Sequence, residues 1–436
     1  MVRPRIVKAL RLFWTFVVIW FEYGTFWFAV NRCSWPDFRL QTSSPSATRP
    51  THVLVIADPQ ILDHRSYPGR LAILNYVSRV MVDLNLRKSW RAATRLRPDA
   101  VVFLGDMMDG GRFPMPDTEY ESYYKRFKAI FALDRTVPEY FIPGNHDTGL
   151  KMSASESKQA RERYVSHFGP LNQQQHQVSF AEWRRSPEGT VKFVERLAGA
   201  IQPPIILLSH IPLYRPAGSD CGPLRERGTI HQGYGNGYQN ILEQDATNFL
   251  LQTLRPSLIL SGDDHDYCEF NHTIDRSEVA REVTVKSLSI AMNVKRPGFQ
   301  LLSLSPKLFR KNHATTHADE LCLLPDQISI YLSIYLPLLF ISLLVVLLLN
   351  AESVRNRSIF DGLEMTSLSY SERNAMLSLR STSVREDSEE DISILAIMVI
   401  IPSWSTTSDI DPRIQVTGKI DHYTVVQLPG HAQREA

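Results

Sequence analysis

What this chain lacks first is an excess of charge of either sign. Lysine and arginine total 48 against 46 aspartates and glutamates, a formal net charge of +2. Bulk charge therefore gives no ground for a nucleic-acid partner. A basic stripe and an aromatic stacking platform are also missing, which argues against a nuclease. There is no internal repeat, and no lysine-based retrieval signal in the closing Arg434-Glu435-Ala436. Cysteine is scarce, with four residues in 436. The length suits one large domain with additions.

Long apolar runs are present, and they are unevenly placed. Residues 12–30 are rich in Phe, Trp, Val and Ile, are interrupted by Glu22, and follow Arg3, Arg5, Lys8 and Arg11. That length is near the minimum for a membrane span, and its aromatic ends suit bilayer interfaces. The competing reading is a cleaved signal peptide. Against it, no clean small-x-small cleavage site follows, and the stretch is long for such a segment. A lone Glu in a span is tolerated when it finds a partner. Residues 328–349 carry no charge and many leucines, and read as a second span that Pro337 bends without breaking. Arg355 and Arg357 follow it closely. The positive-inside rule then predicts cytosolic termini and a lumenal segment between the spans.

All four cysteines fall in or beside that segment. Cys33 follows the first run, Cys322 precedes the second, and Cys221 and Cys268 lie between. A lumenal compartment permits disulfides. Of three possible connectivities, Cys33 with Cys322 and Cys221 with Cys268 is preferred, with free buried thiols as the alternative. Asn271-His272-Thr273 is a glycosylation sequon in the same segment, whereas Asn356-Arg357-Ser358 would be cytosolic and unused.

The predicted organisation is a cytosolic N-terminus at 1–11, a span at 12–30, a Ser/Thr/Pro-rich linker at 41–50, a lumenal domain at 51–304, a span at 328–349, and a cytosolic, largely disordered tail at 350–436. Within the domain, 71–96, 120–133 and 153–168 read as helices and 137–143 as a strand, which predicts an α/β core. Residues 216–239, glycine-rich and without a sustained period, read as a long loop over a site. The apolar run 392–401 is too short to span a bilayer.

Chemistry concentrates in five polar clusters, each ending an apolar run. They are Asp58-Pro59-Gln60, Gly105-Asp106-Met107-Met108-Asp109, Gly144-Asn145-His146-Asp147, His210, and Gly262-Asp263-Asp264-His265. An apolar run that ends in Asp, Asn or His is a buried strand delivering a ligand to a shared sheet edge. Five in this order describe a two-metal phosphoesterase centre, because paired divalent ions clamp a phosphate and activate water. Asp109 with its two following glycines reads as shaping a tight turn. Arg112 reads equally as a phosphate contact or a solvated charge.

These residues resemble the calcineurin-like metallophosphoesterase superfamily, whose pattern is D-x-H, G-D-x-x-D, G-N-H-D/E, a lone H, and G-H-x-H. The resemblance covers Val53 to about Glu269. It implies an α/β fold, a β-sandwich flanked by helices, here between two transmembrane helices. It implies one ion held by Asp58, Gln60, Asp106 and His265, and a second by Asp106, Asn145, His210 and Asp263. It makes His146 the general acid and Asp147 the carboxylate that orients it.

Two positions depart from the pattern. Gln60 and Asp263 stand where the family has histidines, and oxygen-rich shells favour Mn²⁺ or Mg²⁺ over Zn²⁺. A pseudoenzyme is the alternative, though Gln and Asp still coordinate. The departures, Asp63, Tyr67, the run Cys221–Glu226 and the run Asp264–Cys268 together resemble the fungal branch of early-secretory-pathway phosphodiesterases. That resemblance implies a Mn²⁺-dependent, multi-pass enzyme of the endoplasmic reticulum or Golgi membrane. It implies removal of ethanolamine phosphate from the glycan of glycosylphosphatidylinositol (GPI) anchors, aiding exit of anchored proteins from the endoplasmic reticulum. Competing readings are a lumenal lipid phosphatase or pyrophosphatase, and a non-catalytic Mn²⁺-responsive membrane protein.

Overall fold

Strands β1 (Thr51–Ile56), β2 (Ala100–Phe103) and β3 (Glu139–Phe141) run parallel at the centre of the computed structural model. The structure describes residues 4–40, 49–150, 153–169, 190–200, 204–235, 237–305, 316–367 and 424–427. Antiparallel β10 (Gly298–Leu304) and β11 (His317–Leu323) complete this first sheet in the order β11-β10-β1-β2-β3. The second sheet has the order β12-β4-β7-β9-β8, with β4 at Ile205–Leu208, β7 at Leu258–Ser261, β8 at Cys268–Thr273, β9 at Val279–Thr284 and β12 at Thr424–Gln427. A separate strand pair, β5 (Tyr234–Gly235) and β6 (Tyr238–Gln239), closes the segment 216–239 expected to be a loop.

The period-two alternation of β1 explains the layering. Val53, Val55 and Ala57 face the interior between the sheets, with Ile206, Leu208, Leu258, Leu260 and Val283 opposite. Leu54 and Ile56 face the other way, under helices α3 (Ala72–Ala93) and α4 (Asp117–Ile130), where Trp90, Phe103, Phe127 and Phe131 cluster. Outside the second sheet, Ile205, Leu207 and Ile259 pack on α7 (Thr190–Ala200) and α8 (Gln244–Leu254). Sheet on sheet between two helical layers is the α/β sandwich expected. Emptying the Trp90 site would cost about 3–5 kcal/mol.

The expected helices form with small shifts. The segment 71–96 becomes α3 followed by a 3-10 turn, Thr94–Leu96. The helix expected at 120–133 begins earlier, at Asp117, where Asp117 and Glu119 favour a first turn. α6 (Ala154–Phe168) starts on a capping box between Ser153 and Glu156.

The first apolar run is not one regular helix. α1 (Pro4–Ile19) passes through a π-helical turn, Trp20–Gly24, into α2 (Thr25–Asn31). Among the described residues, the helix long and apolar enough to cross a membrane is Gln327–Ala351, 25 residues. One of the two expected spans thus meets that test. Glu22 has found partners in Lys88 and in Gln327 Nε2 at 3.2 Å. The helix from Leu336 continues to Ser367, past the point where the tail was expected to lose order. The linker 41–48 and the run 392–401 lie outside the described residues. The described chain divides into two compact units. One comprises Phe16–Ser333 and Gly418–Ala436, the other Met1–Thr15 and Ile334–Thr417.

Both preferred disulfides form, Cys33–Cys322 and Cys221–Cys268. The first joins positions 289 residues apart and ties the end of α2 to β11. Such a crosslink restricts the unfolded chain strongly. Replacing both Cys33 and Cys322 by Ser should lower stability by about 2–5 kcal/mol. The measurement is thermal unfolding of the full chain in detergent; an unchanged midpoint would show that the crosslink carries no weight.

Candidate metal centre

The five clusters converge at the ends of the strands. Asp58 follows β1, Asp106 follows β2, Asn145 follows β3, His210 follows β4 and Asp263 follows β7. Ligand atoms of Asp58, Asp106 and His210 all lie within 4.8 Å of one another. His210 Nε2 stands 3.0 Å from Asn145 Oδ1, 3.3 Å from Asp263 Oδ1 and 3.5 Å from Asp106 Oδ1. The backbone N–H of Asp263 donates to both Asp58 oxygens at 3.1 Å. Asp58, Gln60, Asp106, Asn145 and His210 are all buried.

Backbone strain marks the same places. Asp58, Gln60, Asp106, Asp263 and His265 all have positive φ, between 33° and 69°. Non-glycine residues rarely adopt this conformation, and clusters of them mark functional sites. Gly144 is required for a different reason: a Cβ there would overlap the Asp106 carboxylate and its backbone N.

Neighbouring groups fix each donor. His210 Nδ1 lies 2.7 Å from the Leu104 carbonyl, which only accepts, so Nδ1 carries the proton and Nε2 turns its lone pair inward. Asn145 Nδ2 donates to the Gly237 carbonyl at 2.8 Å, turning Oδ1 toward His210. Gln60 Nε2 donates to Asp106 Oδ2 at 2.8 Å, so its amide holds the carboxylate expected to bridge. Asp264 is drawn away from the centre by Arg225, whose Nη2 stands 3.2 Å from Oδ1. Of the two adjacent aspartates, Asp263 therefore faces the donors. His265 is half-buried; burial lowers its imidazole, and Asp263 and Asp106 act in the other direction.

One expected contact is corrected. Asp147 does not orient His146. Its oxygens accept from the backbone N–H groups of Met107, Met108 and Gly144, so it shapes the loop beneath the centre. The His146 ring instead meets Asp109, with Nδ1 2.7 Å from the carbonyl and 3.1 Å from Oδ1. Asp109 was expected to be a turn-former. Its signal was the spacing of three after Asp106, which brings it back beside the residue following Asn145. Arg112 donates its backbone N–H to the His146 carbonyl and Nη1 to Gly237, at 2.7 and 3.2 Å.

The electrostatics are those of carboxylates and imidazoles crowded together away from water. Burial drives the Asp58 carboxyl well above its ordinary range, and Asp106 and Asp263 add to the push. Burial also acts upward on Asp106, but His210 and His146 outweigh it and hold that carboxyl low. Burial acts downward on His146, yet Asp106 and Asp109 push the imidazole up to about 9. His210 is likewise raised, chiefly by Asp106 against burial. Asp147 is pushed up to about 7 by burial and then by Asp106. Converging buried carboxylates with an inward imidazole fit divalent cations, which would supply the positive charge the cluster lacks. Asp58, Asp106 and His210 would hold such an ion, with Asn145, Asp263 and His265 beside them.

This fold and this donor set define a metal-dependent phosphoester hydrolase. Residues 51–267 match the family of calcineurin-like phosphoesterases. The chain is 34% identical to Cell division control protein 1 of Saccharomyces cerevisiae, over 74% of this chain and 70% of that protein. It is 24% identical to the Metallophosphoesterase 1 homolog of Drosophila melanogaster, over 66% of this chain and 81% of the relative. Among solved structures it is similar to a dimetal phosphatase from Danio rerio, at 15% identity and a TM-score of 0.35, covering 59% of this chain and 94% of that one. The chain belongs to the calcineurin-like metallophosphoesterase family.

Asp106→Asn should strip divalent ions from the whole centre, since an amide oxygen carries no charge and the residue faces both His210 and Gln60. Elemental analysis of the purified full chain checks this, and retention of the wild-type ion content would remove Asp106 from the centre. Asp109→Asn should lower the pKa of His146, because one of the two carboxylates raising it is neutralised. The alkaline limb of the rate profile should then move to lower pH.

Proposed function

We propose that this protein is a membrane-anchored, Mn²⁺-dependent phosphodiesterase that removes ethanolamine phosphate from GPI-anchor glycans. The observation that carries the reading is the pairing, beside the centre, of the two segments that carry the resemblance to that branch. Cys221 is bonded to Cys268, Arg225 to Asp264, and the backbone N–H groups of Glu226 and Arg227 to Asp266 Oδ2 at 2.8 and 3.1 Å. The run Cys221–Glu226 is thus fastened to the run that supplies Asp263 and His265. The residues behind the resemblance to GPI-glycan phosphodiesterases are one built wall of the site.

Further features support the compartment. One disulfide within the catalytic domain and a second beside it suit an oxidising lumen. Asn271 is exposed on the edge strand β8, open to a glycan that would also blunt that edge. The basic flanks of both apolar runs support cytosolic termini, a lumenal domain and residence in the endoplasmic reticulum or Golgi membrane. Gln60 and Asp263 supply oxygen where the family pattern has imidazole, which favours Mn²⁺.

In this reading Asp58, Gln60, Asp106, Asn145, His210, Asp263 and His265 would hold two divalent ions, which would supply the chemistry of water activation at this site. His146 gives a proton to the leaving alkoxide. Its Nδ1 is engaged by Asp109, which leaves Nε2 to face the substrate.

Mass spectrometry of GPI glycans from cells with and without the protein should show retained ethanolamine phosphate when it is missing. Release of inorganic phosphate in place of phosphoethanolamine would favour the lipid phosphatase reading. Failure to turn over bis-nitrophenyl phosphate with Mn²⁺ would favour a non-catalytic protein. His146→Ala should keep metal but slow esters with poor leaving groups by about 10²–10⁴. A nitrophenolate needs little protonation and should suffer less, so equal losses would give His146 another role. In sealed microsomes the domain at 51–304 should resist protease while a C-terminal tag is digested.

A further inference from the structure

Helix α3 changes character along its length. From Val82 onward, Val82, Leu86, Ser89, Trp90, Ala92 and Ala93 are buried in the domain core. Before that point its large apolar side chains stand in the open. Leu71 is 70% exposed, Ile73 64% and Tyr76 56%, and Leu74, Val77 and Val80 are exposed with them. Outside the two long apolar helices, no other ten described residues expose more than two large apolar side chains. A soluble surface rarely tolerates such a patch without a partner. Asn75, Ser78 and Arg79 share one side of this stretch at helical spacing, and apolar residues occupy the rest. Arg70 sits at the start, its guanidinium 4.0 Å from the Tyr67 ring and 3.3 Å from Ser78 Oγ. An apolar arc with an arginine-bearing polar side is the pattern of a helix lying in a membrane interface.

What covers this face follows from its neighbour. The buried half of α3 packs on α2: Phe26 and Val30 join Val82, Leu86 and Trp90 in one cluster. Lys88 is paired with Glu22, and its ammonium lies 5.0 Å from the Phe26 ring. The apolar run that leads into α2 exposes Phe16, Ile19, Trp20 and Tyr23, and α2 itself exposes Trp27 and Phe28. Two packed helices therefore present adjoining apolar surfaces. We infer that the first half of α3, from Leu71 to Val80, is embedded in the same phospholipid bilayer as the run 12–30. This rests on the membrane-anchored reading and adds to it an anchor within the catalytic domain.

The anchor is wired to the metal centre. Eleven positions separate Gln60 from Leu71, so the chain between them spans at most about 40 Å. That connection is pinned: the buried Asp63 carboxylate accepts the Arg65 N–H at 2.7 Å, Arg65 Nη1 reaches Glu119 at 2.8 Å, and Asn75 Nδ2 reaches the Tyr67 carbonyl at 3.2 Å. The bilayer, the loop and the donors Asp58 and Gln60 thus form one connected segment. A substrate anchored in lipid meets the centre at a set height above the membrane.

The test uses the full chain in phosphatidylcholine vesicles. Its native cysteines are all paired, so Leu74→Cys and, separately, Leu344→Cys can each carry one nitroxide. The expected result is that both labels relax with oxygen, which concentrates in lipid, and are shielded from a water-soluble nickel chelate. A label at 74 in water with 344 in lipid overturns the α3 anchor and leaves the membrane reading standing. Both in water overturns the two together. Shielding of 74 from both agents shows a protein cover, such as a second copy, and overturns the lipid assignment. As a second arm, Leu74→Asp with Val77→Asp should keep turnover of soluble bis-nitrophenyl phosphate within about twofold. Turnover of an ethanolamine-phosphate-bearing glycolipid held in vesicles should fall about tenfold or more, as expected when two inserted side chains become charged. Equal losses on both substrates, or none on either, count against the proposal.

Discussion

The constraint on which this structure depends is the convergence of buried carboxylates at the edges of two sheets. Asp58 and Asp106 are shut away from water, and Asp263 joins them across His210. Like charges in a low-dielectric setting repel unless cations intervene. The chain accepts this cost, and adds backbone strain at five of the expected donors. Neither burden aids folding. Both make sense as the preorganisation of a cation site, where the ligands must already point inward before the ion arrives. The surroundings follow from that need: Leu104 fixes the His210 ring, Gly237 turns the Asn145 amide, and Gly144 leaves room for Asp106.

A second layer holds the last motif in place. Asp263 is followed by Asp264 and, two residues on, Asp266, and their carboxylates do different work. Asp263 meets His210 in the centre. Asp264 and Asp266 grip the loop that starts at Pro216. Lys286, fully buried, sits between Asp266 at 2.6 Å and Glu226 at 3.0 Å, and Glu226 in turn accepts the backbone N–H groups of Lys295 and Arg296. A buried ion network of this kind adds little net stability but penalises every other arrangement of its members. Paired with the Cys221–Cys268 bond, it makes a glycine-rich loop into a fixed wall. The loop's own regular structure is one short strand pair, Tyr234–Gly235 with Tyr238–Gln239, so its order comes mainly from backbone groups claimed by buried charges.

Most of the centre was legible in the sequence because strand ends and ligands coincide. Short apolar runs ending in Asp, Asn or His announce both the sheet edge and its chemistry, so Asp58, Asp106, Asn145, His210 and Asp263 were found together. The disulfides were readable from where the cysteines sit along the chain. What escaped was the partner of His146. Asp109 and Asp147 are both near in sequence, and only the path of the loop after β2 decides which carboxylate reaches the ring. The exposed half of α3 also escaped. Its spacing is correctly helical, but a helix pattern does not say whether its apolar side meets protein or lipid. The π turn at Glu22 was equally hidden, since no local propensity marks it.

Under the membrane-anchored function proposed above, anchoring and catalysis converge on one stretch of chain. β1 ends in Asp58 and Gln60, and the same segment runs on through Asp63 and Tyr67 into α3. Donors on a rigid strand end are held to fractions of an ångström, whereas a bilayer surface fluctuates far more. A short pinned connection reconciles the two, because it transmits the height of the membrane without transmitting its motion. The ionic cluster of Asp63, Arg65 and Glu119 stands where such a damper is needed: between the first two donors and the helix, and tied sideways to α4. A flexible linker of equal length would leave the centre free to tumble over the surface and would dilute its encounter with any membrane-held phosphoester.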